Sequence, residues 1–208
     1  MEKIISGLAQ FKSSSFEERK ALFAELANGQ SPEVLFITCA DSRIDPNLIT
    51  QTEPGDLFVI RNAGNIVPPH TRDADGVTAS IEYAVAVLGI KHVVVCGHSD
   101  CGAMKGALNT AALSDLPHVQ DWLDHSRAAV ETVKAKHGQA TISELDAVTK
   151  QNVELQLNHL RTHPAVSAKM STGDVELHGW VYNIGEGTVE AFDESKGAFV
   201  SVQERYTA

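Results

Sequence analysis

The sequence predicts an α/β fold, in which a central, mostly parallel β-sheet is flanked by helices. The first observation is a set of apolar runs with strand length and no polar alternation, at 34–38, 57–60 and 92–96. Such runs are typical of strands buried on both faces, as in parallel sheets. The second observation is an amphipathic segment, 76–88, between the second and third runs. Together they form a strand–helix–strand crossover, which is almost always right-handed.

The first 30 residues predict a helical arm that precedes the sheet. Ser14 and Glu17 have the spacing of a capping box. Gly29 is the expected end of the helical region. Apolar side chains recur between them at near-helical spacing, at Phe16, Leu22, Phe23 and Leu26. This apolar face needs a surface to cover, either the chain's own sheet or a partner subunit.

The second half of the chain is mostly helical and ends in strands. The helical pattern from 117 to about 163 breaks near Gly138 and resumes after a cap, either Thr141 or Ser143. Pro164 follows its end. The last segments predict a fourth strand and a hairpin, at 175–183, 188–192 and 198–202.

Length and charge limit the class of protein. The 208 residues suit a single domain over 1–208, with the arm at 1–30 and an α/β core at 31–208. The net charge of −10 and the lack of a basic stripe argue against nucleic-acid binding. No apolar run approaches the roughly 20 residues that span a bilayer. The N-terminus lacks the apolar region of a secretory signal, so the cytoplasm is the expected compartment, with microcompartment association left open.

Three residues dominate the predicted chemistry: Cys39, His98 and Cys101. Cys39 follows the first strand and the other two follow the third, so the fold would bring all three to the carboxyl ends of the strands. Three cysteines form no even disulfide set, which favours a metal or catalytic role. Two thiolates and one imidazole without an obvious fourth ligand indicate an open zinc site, because structural zinc sites usually have four protein ligands.

The remaining cysteine and histidines have plainer interpretations. Cys96 lies inside an apolar run and is expected to be a small buried hydrophobic residue. The eight histidines other than His98 are expected to be core or surface residues. None of them is predicted to bind metal.

Asp41 and Arg43 alternate with Cys39 along the chain, so all three side chains could face the metal. An ionised Asp41 would accept a hydrogen bond from a zinc-bound hydroxide and orient it. Arg43 would hold Asp41 by a bidentate pair. The alternative is a surface ion pair worth under about 1 kcal/mol.

These residues resemble the signature of the β-class carbonic anhydrases. Two segments carry the resemblance, CADSR at 39–43 and HSDCG at 98–102. Three further segments resemble the family in the same order along the chain, at 53–65, 80–85 and 178–182. The likeness extends from about residue 30 to residue 202.

The resemblance implies one zinc ion per subunit, held by Cys39, His98 and Cys101, and the reversible hydration of carbon dioxide to bicarbonate. It implies that Asp41 orients the zinc-bound hydroxide and that Arg43 holds Asp41. It also implies a homodimer or an assembly of dimers, in which the N-terminal helices pack on the partner subunit.

The resemblance further implies a carbon dioxide pocket formed between two subunits. Gln30, Phe58 and Tyr83 would line it, and the backbone amide of Gly102 would lie near the substrate. Taken alone, Phe58 and Tyr83 would be read as core packing, and Gln30 as an ordinary loop residue. Their positions relative to Cys39 within the matching segments give them this role.

Family members divide into a form with an accessible zinc and a gated form. In the gated form, the equivalent of Asp41 takes the fourth zinc position at low pH, and a bicarbonate site made by a Trp, an Arg and a Tyr accompanies it. Here Arg61 and Tyr182 match, but Phe36 stands at the Trp position. Phe lacks the indole donor, so the accessible form is predicted. Gln30 also resembles that branch.

Three other functions are alternatives to carbon dioxide hydration. A related zinc enzyme could act on an analogue such as carbon disulfide, or the zinc could only stabilise a scaffold, although such a zinc needs no Asp41–Arg43 pair. A phosphatase with Cys39 as its nucleophile would need a Cys and an Arg six residues apart, whereas Cys39 and Arg43 are four apart. The proton shuttle has no clear candidate, and His70 or Asp73 could assist.

Overall fold

The computed structural model describes residues 1–73 and 75–207 and divides into two compact units, 1–31 and 32–208. The first unit contains helices Glu2–Ser13 (α1), Ser15–Glu18 (α2) and Lys20–Leu26 (α3). The rings of Phe11, Phe16 and Phe23 pack together, with centroids 5.2 to 6.1 Å apart. Within the described residues 1–31, none of these helices contains a buried residue.

The predicted capping box at Ser14 is wrong. The chain kinks at Ser14, and the helical region forms three short helices. The Ser14 hydroxyl donates to the Glu18 carboxylate at 3.2 Å, and Glu17 pairs with Lys20 at 3.0 Å. The Glu17 side chain therefore bonds Lys20 and does not cap the helix. The last helix ends at Leu26, three residues before Gly29.

The second unit is built on one six-stranded sheet. Its strands are Val34–Cys39 (β1), Leu57–Asn62 (β2), His92–His98 (β3), Glu176–Asn183 (β4), Thr188–Asp193 (β5) and Ala198–Ser201 (β6). The spatial order is β2-β1-β3-β4-β5-β6. The first four strands are parallel, and the hairpin β5–β6 adds two antiparallel strands. The predicted mostly parallel sheet is therefore confirmed.

Helices connect and flank these strands. They are Pro46–Thr50 (α4), Gly76–Glu82 (α5), Gly102–Leu108 (α6), Pro117–Leu123 (α7), Arg127–His137 (α8), Leu145–Thr162 (α9), Pro164–Ser171 (α10) and Val202–Tyr206 (α11). The predicted helix 76–88 is α5 continued by a π-helical turn, Tyr83–Val87. The predicted break at Gly138 is confirmed, because this residue ends α8 with φ of +78°. Three 3-10 turns complete the set, Thr110–Leu113, Asp124–Ser126 and Ile142–Glu144.

One face of the sheet packs against α9. Leu35, Ile37, Val93 and Val95 point to this side and share a core cluster with apolar residues of α9. The approach is close at two glycines. A Cβ at Gly97 would meet Val153 at 3.0 Å, and one at Gly179 would meet the same side chain at 2.9 Å. Small residues at these positions let α9 lie directly over β3 and β4.

The opposite face carries a smaller apolar cluster. Phe36, Val94 and Cys96 are buried there, and Trp180 packs against them. The Tyr206 hydroxyl, from α11, accepts a hydrogen bond from the Trp180 indole at 3.0 Å. Alternate residues of β1, β3 and β4 thus line two separate apolar clusters, as expected for strands buried on both faces.

Candidate metal centre

Cys39, His98 and Cys101 converge at the carboxyl ends of β1 and β3. Cys39 is the last residue of β1, His98 is the last residue of β3, and Cys101 directly precedes α6. Their two sulfur atoms and one ring nitrogen lie within 4.8 Å of one another, and all three side chains are buried. The sheet topology therefore closes the wide sequence gap between Cys39 and His98.

The backbone after β3 fixes the orientation of the His98 ring. Its Nδ1 lies 2.8 Å from the Ser99 carbonyl oxygen and donates to it, because that oxygen can only accept. This leaves Nε2 as an unprotonated acceptor that faces the two thiols. Nε2 is fully buried and has no hydrogen-bond partner among the described residues. A buried polar atom without a partner is rare, and a metal ion would satisfy it.

The pKa values of the two thiols are shifted in opposite directions. The neighbouring Cys101 thiol and the Gly64 amide, which lies 3.4 Å from the Cys39 sulfur, lower the pKa of Cys39. The same contact and burial raise the pKa of Cys101. A bound divalent cation resolves this conflict, because a coordinating thiol is deprotonated outright. The donor set and its charge therefore fit zinc.

Asp41 lies at the edge of the three ligands and is held by Arg43. Asp41 Oδ2 is 3.9 Å from His98 Nε2. Arg43 donates from Nε to Oδ1 at 2.9 Å and from Nη2 to Oδ2 at 2.8 Å, and its backbone N–H adds a bond of 3.0 Å. These bonds hold the pKa of the Asp41 carboxyl well below its usual range. The carboxylate is therefore ionised and acts only as an acceptor.

Asp100 anchors the other side of Arg43. Arg43 Nη1 donates to Asp100 Oδ2 at 3.1 Å, and Nη2 approaches the Asp100 carbonyl at 3.3 Å. Lys105, on α6, bonds the second carboxylate oxygen of Asp100. Asp100 has φ of +57°, a left-handed conformation that turns it back towards Arg43. The guanidinium is thus fixed between two carboxylates.

Arg61 and Gly64 support the same loop from β2. Arg61 donates to the backbone carbonyls of Cys39 at 3.1 Å and Asp41 at 2.7 Å. The Gly64 amide lies 3.4 Å from the Cys39 sulfur. In this chain, Arg61 therefore holds the backbone that carries a ligand and the acidic residue.

The predicted substrate residues are distributed over the chain. Phe58 and Tyr83 face each other with ring centroids 6.2 Å apart. Phe58 is paired with Leu35, four residues along the strands from the row of Cys39 and Asn62, or about 13 Å. Gly102 is the first residue of α6, next to Cys101. Gln30 is exposed and belongs to the first unit.

The third cysteine and the candidate proton shuttles lie elsewhere. Cys96 is buried among apolar residues on the sheet face opposite α9, and burial raises its pKa to about 12. The interpretation of Cys96 as a small core residue agrees with these surroundings. The His70 ring packs against His163 at 5.7 Å, and the Asp73 carbonyl accepts a bond from Thr71. Their role as shuttles stays a prediction.

A buried polar network on α9 also supports the site, and the sequence analysis does not predict it. Asn152 donates to the Gly64 carbonyl at 3.1 Å and accepts from Gln156 at 2.8 Å. Gln156 in turn accepts from the Val67 amide at 2.9 Å. The available signal was an i, i+4 pair of amides on the apolar face of an amphipathic helix. These bonds fix the loop whose Gly64 amide contacts Cys39.

A mostly parallel sheet that presents two cysteine sulfur atoms, one imidazole and an ionised carboxylate has the donor set of an open metal site. The carbonic anhydrase family model matches residues 34–189, so the chain belongs to this family. It is 49% identical over 204 residues to a carbonic anhydrase of Pseudomonas aeruginosa, covering 98% of this chain and 93% of that protein. It is 46% identical to a carbonic anhydrase of a Synechocystis strain, covering 100% of this chain and 77% of that protein.

Solved structures identify the class within the family. The β-carbonic anhydrase CcaA aligns with a TM-score of 0.93 at 45% identity, covering 97% of this chain and 98% of that one. A tetrameric β-carbonic anhydrase of Sordaria macrospora aligns with a TM-score of 0.82 at 31% identity, covering 96% and 98%. The chain is therefore a β-class carbonic anhydrase, which confirms the predicted fold and enzyme class. Among the described residues, no helix is long and apolar enough to cross a bilayer.

Proposed function

We propose that the chain hydrates carbon dioxide reversibly to bicarbonate and a proton, with one zinc ion per subunit held by Cys39, His98 and Cys101. The observation that carries this proposal is the buried, unpartnered Nε2 of His98, which lies beside the sulfur atoms of Cys39 and Cys101. Zinc, when bound, lowers the pKa of a coordinated water to about 7 and so supplies the nucleophile near neutral pH.

Asp41 orients the nucleophile in this proposal. An ionised Asp41 accepts a hydrogen bond from the O–H of the attacking oxygen. This bond orients that oxygen so that one of its lone pairs points towards carbon dioxide. Arg43 fixes the carboxylate with three hydrogen bonds, so that both of its oxygens have defined positions. A scaffold protein with a purely stabilising zinc would have no need for this pair.

The test is stopped-flow hydration of carbon dioxide with zinc quantified in each variant. Asp41→Ala should retain zinc and lower kcat by about 10²-fold, because orientation is lost while the ligands remain. Arg43→Lys should cause a smaller loss, because lysine cannot form the bidentate pair. Asp121→Asn, on the exposed side of α7, is the matched control and should behave as wild type. Full activity of Asp41→Ala, or active protein without zinc, would contradict the proposal.

We also propose that the substrate pocket is completed across two subunits. Phe58 pairs with Tyr83 but lies about 13 Å along β2 from the row of Cys39. A partner subunit could bring its own Phe58, Tyr83 and Gln30 to this chain's metal. The exposed apolar side chains of α1, at Ile4, Ile5 and Leu8, support a role for the arm in packing on that partner.

Mixed dimers test the shared pocket. Cys101→Ser removes a metal ligand, and Phe58→Ala with Tyr83→Ala removes the aromatic pair. If the pocket is shared across a two-fold axis, refolding the two inactive variants together should restore about a quarter of the wild-type sites. A pocket contained within one chain would restore none. Leu8→Glu should shift the protein towards monomers in analytical ultracentrifugation.

The accessible form stays the prediction for low pH. Phe36 is buried and packs edge-on against Trp180, with centroids 6.0 Å apart, and it offers no donor to an anion. X-ray absorption of the zinc protein below pH 7 should therefore show no additional carboxylate oxygen at about 2 Å. Such an oxygen would establish the gated form. The cytoplasm also remains the expected compartment.

A further inference from the structure

A second group of potential metal ligands lies at the opposite end of β3. His92 is the first residue of β3 and is paired with Glu176, the first residue of β4. His178 lies two residues further along β4, on the same face. The two imidazoles and the carboxylate therefore project from neighbouring strands towards one point. The carbonic anhydrase chemistry uses none of these three residues.

The three ligand atoms have the separations that a metal ion requires. His92 Nδ1 lies 3.2 Å from His178 Nε2 and 3.8 Å from Glu176 Oε2. His178 Nε2 lies 3.9 Å from Glu176 Oε2. The point equidistant from all three atoms, in their plane, lies about 2.1 Å from each, which matches the 2.0–2.2 Å of zinc–nitrogen and zinc–oxygen bonds. We propose that His92, Glu176 and His178 form a second divalent-cation site for a first-row transition metal, with zinc as the ion that tests it.

The far side of the His178 ring is held in the way that metal-binding histidines usually are. His178 Nδ1 lies 3.0 Å from the Tyr206 hydroxyl oxygen, which also accepts from the Trp180 indole. When His178 donates from Nδ1 to this oxygen, its Nε2 is left with a lone pair that faces His92. An outer partner that fixes tautomer and ring angle in this way typically strengthens metal binding.

The three side chains differ in exposure, because the two histidines are partly buried and Glu176 is exposed. Glu176 supplies one negative charge and is mostly exposed, which leaves a side of the site open to water.

The donor set selects the kind of cation. Two nitrogens and one carboxylate oxygen suit zinc, copper or nickel, whereas calcium and magnesium prefer oxygen ligands. The site also borders an apolar cavity of about 280 Å³, lined by Val34, Phe36, Val94 and Trp180 as well as both histidines. A ligand bound to the open side of the metal would therefore contact apolar surface.

The competing explanation is a simple hydrogen bond between His92 and His178, with Glu176 as a surface charge. Titration of full-length protein that already holds one zinc per chain separates the two explanations. Calorimetry with zinc chloride should reveal one further equivalent. His92→Ala and His178→Ala should each weaken it at least about tenfold, and Tyr206→Phe by about tenfold through the outer partner. His137→Ala, an exposed histidine of α8, is the matched control and should leave binding unchanged.

Cobalt distinguishes this site from the thiolate site. Cobalt chloride added to the zinc-loaded protein should give visible ligand-field bands without thiolate charge-transfer absorption in the near ultraviolet. Each variant is checked by circular dichroism and by retention of the first zinc. Glu176→Gln changes only an exposed side chain. Its binding of the further zinc equivalent therefore tests the proposal if a histidine variant misfolds. No further equivalent, undiminished binding in these variants, or thiolate absorption of the added cobalt would overturn the proposal.

Discussion

Strand β3 begins and ends with a histidine, and the two ends illustrate how position in the fold decides chemistry. His92 and His98 are six residues apart, or about 20 Å along the strand. His98 is completely buried and faces two thiols. His92 is partly exposed and faces an imidazole and a carboxylate. The same residue type therefore lies in a buried, sulfur-rich group of side chains at one end and in a partly exposed group with nitrogen and oxygen atoms at the other.

The difference follows from what surrounds each end of a parallel strand. At the carboxyl end, loops from several strands meet, so Cys39, Asp41 and Cys101 can gather around His98. Arg43 and Arg61 then brace those loops by bonds to side chains and carbonyls. At the amino end, the ligands stand directly on β3 and β4, and their geometry depends on strand register. The first arrangement holds an ionised carboxylate beside its ligands, whereas the carboxylate of the second, Glu176, is mostly exposed.

The largest expected effect comes from the sulfur ligands. Cys101→Ser should lose zinc and lower carbon dioxide hydration by at least about 10³-fold, because the site then lacks one of its two thiolates. Cys96→Ser is the matched control, since Cys96 is equally buried but lies in the apolar cluster on the other sheet face. Zinc content and stopped-flow rates are measured for both variants and compared. Zinc loss in Cys96→Ser, or zinc retained at full activity in Cys101→Ser, would contradict the assignment.

A smaller effect is expected from the outer anchor of Arg43. Asp100→Asn keeps the shape of the side chain but removes the charge that holds Arg43 Nη1 and Lys105. The variant should keep its zinc and lower kcat by about tenfold, because charge-assisted bonds are roughly twice as strong as neutral ones. Rates are measured from pH 6 to 9 with zinc determined in parallel. An unchanged kcat would mean that Asp41 alone fixes Arg43.

The sequence was sufficient for the carboxyl end of β3. Apolar runs gave the strands, and topology alone then brought Cys39 to His98 and Cys101. The Asp41–Arg43 pair is local in sequence, so its spacing predicts the contact. Asp100 was missed because its role depends on a left-handed turn, which a non-glycine residue adopts rarely.

The amino end could not be read from sequence. His92 and Glu176 are far apart in the chain, and they meet only because β3 and β4 pair in one register. A shift of one residue would turn His178 to the other face of the sheet. The sequence alone therefore predicts only ordinary core or surface roles for His92 and His178. Apolar patterns identify strands, but they do not give the register between two distant strands.

A stability effect is expected at the helix that covers both strands. Gly179→Ala would place a Cβ at 2.9 Å from Val153 and 3.0 Å from Leu157. Overpacking of this kind should lower the free energy of unfolding by about 1–3 kcal/mol. Gly185→Ala is the control, because its nearest contact would be 3.6 Å, and it should stay within about 0.5 kcal/mol. Equal stabilities in urea denaturation would mean that α9 can move away from β4.

The smallest expected effect is a pH dependence contributed by His178. Its pKa is lower in the folded protein than the ordinary value of about 6.5, because burial and His92 disfavour the charged ring. The unfolded chain therefore binds more protons below pH 6.5, so stability that is complete above this pH is lost as the pH falls through the folded pKa. His178→Asn should flatten this part of the curve of unfolding free energy against pH. His137→Asn, on exposed α8, should leave the curve unchanged. Identical curves for wild type and His178→Asn between pH 7 and 5 would show that the amino end of β3 tolerates a charged imidazole.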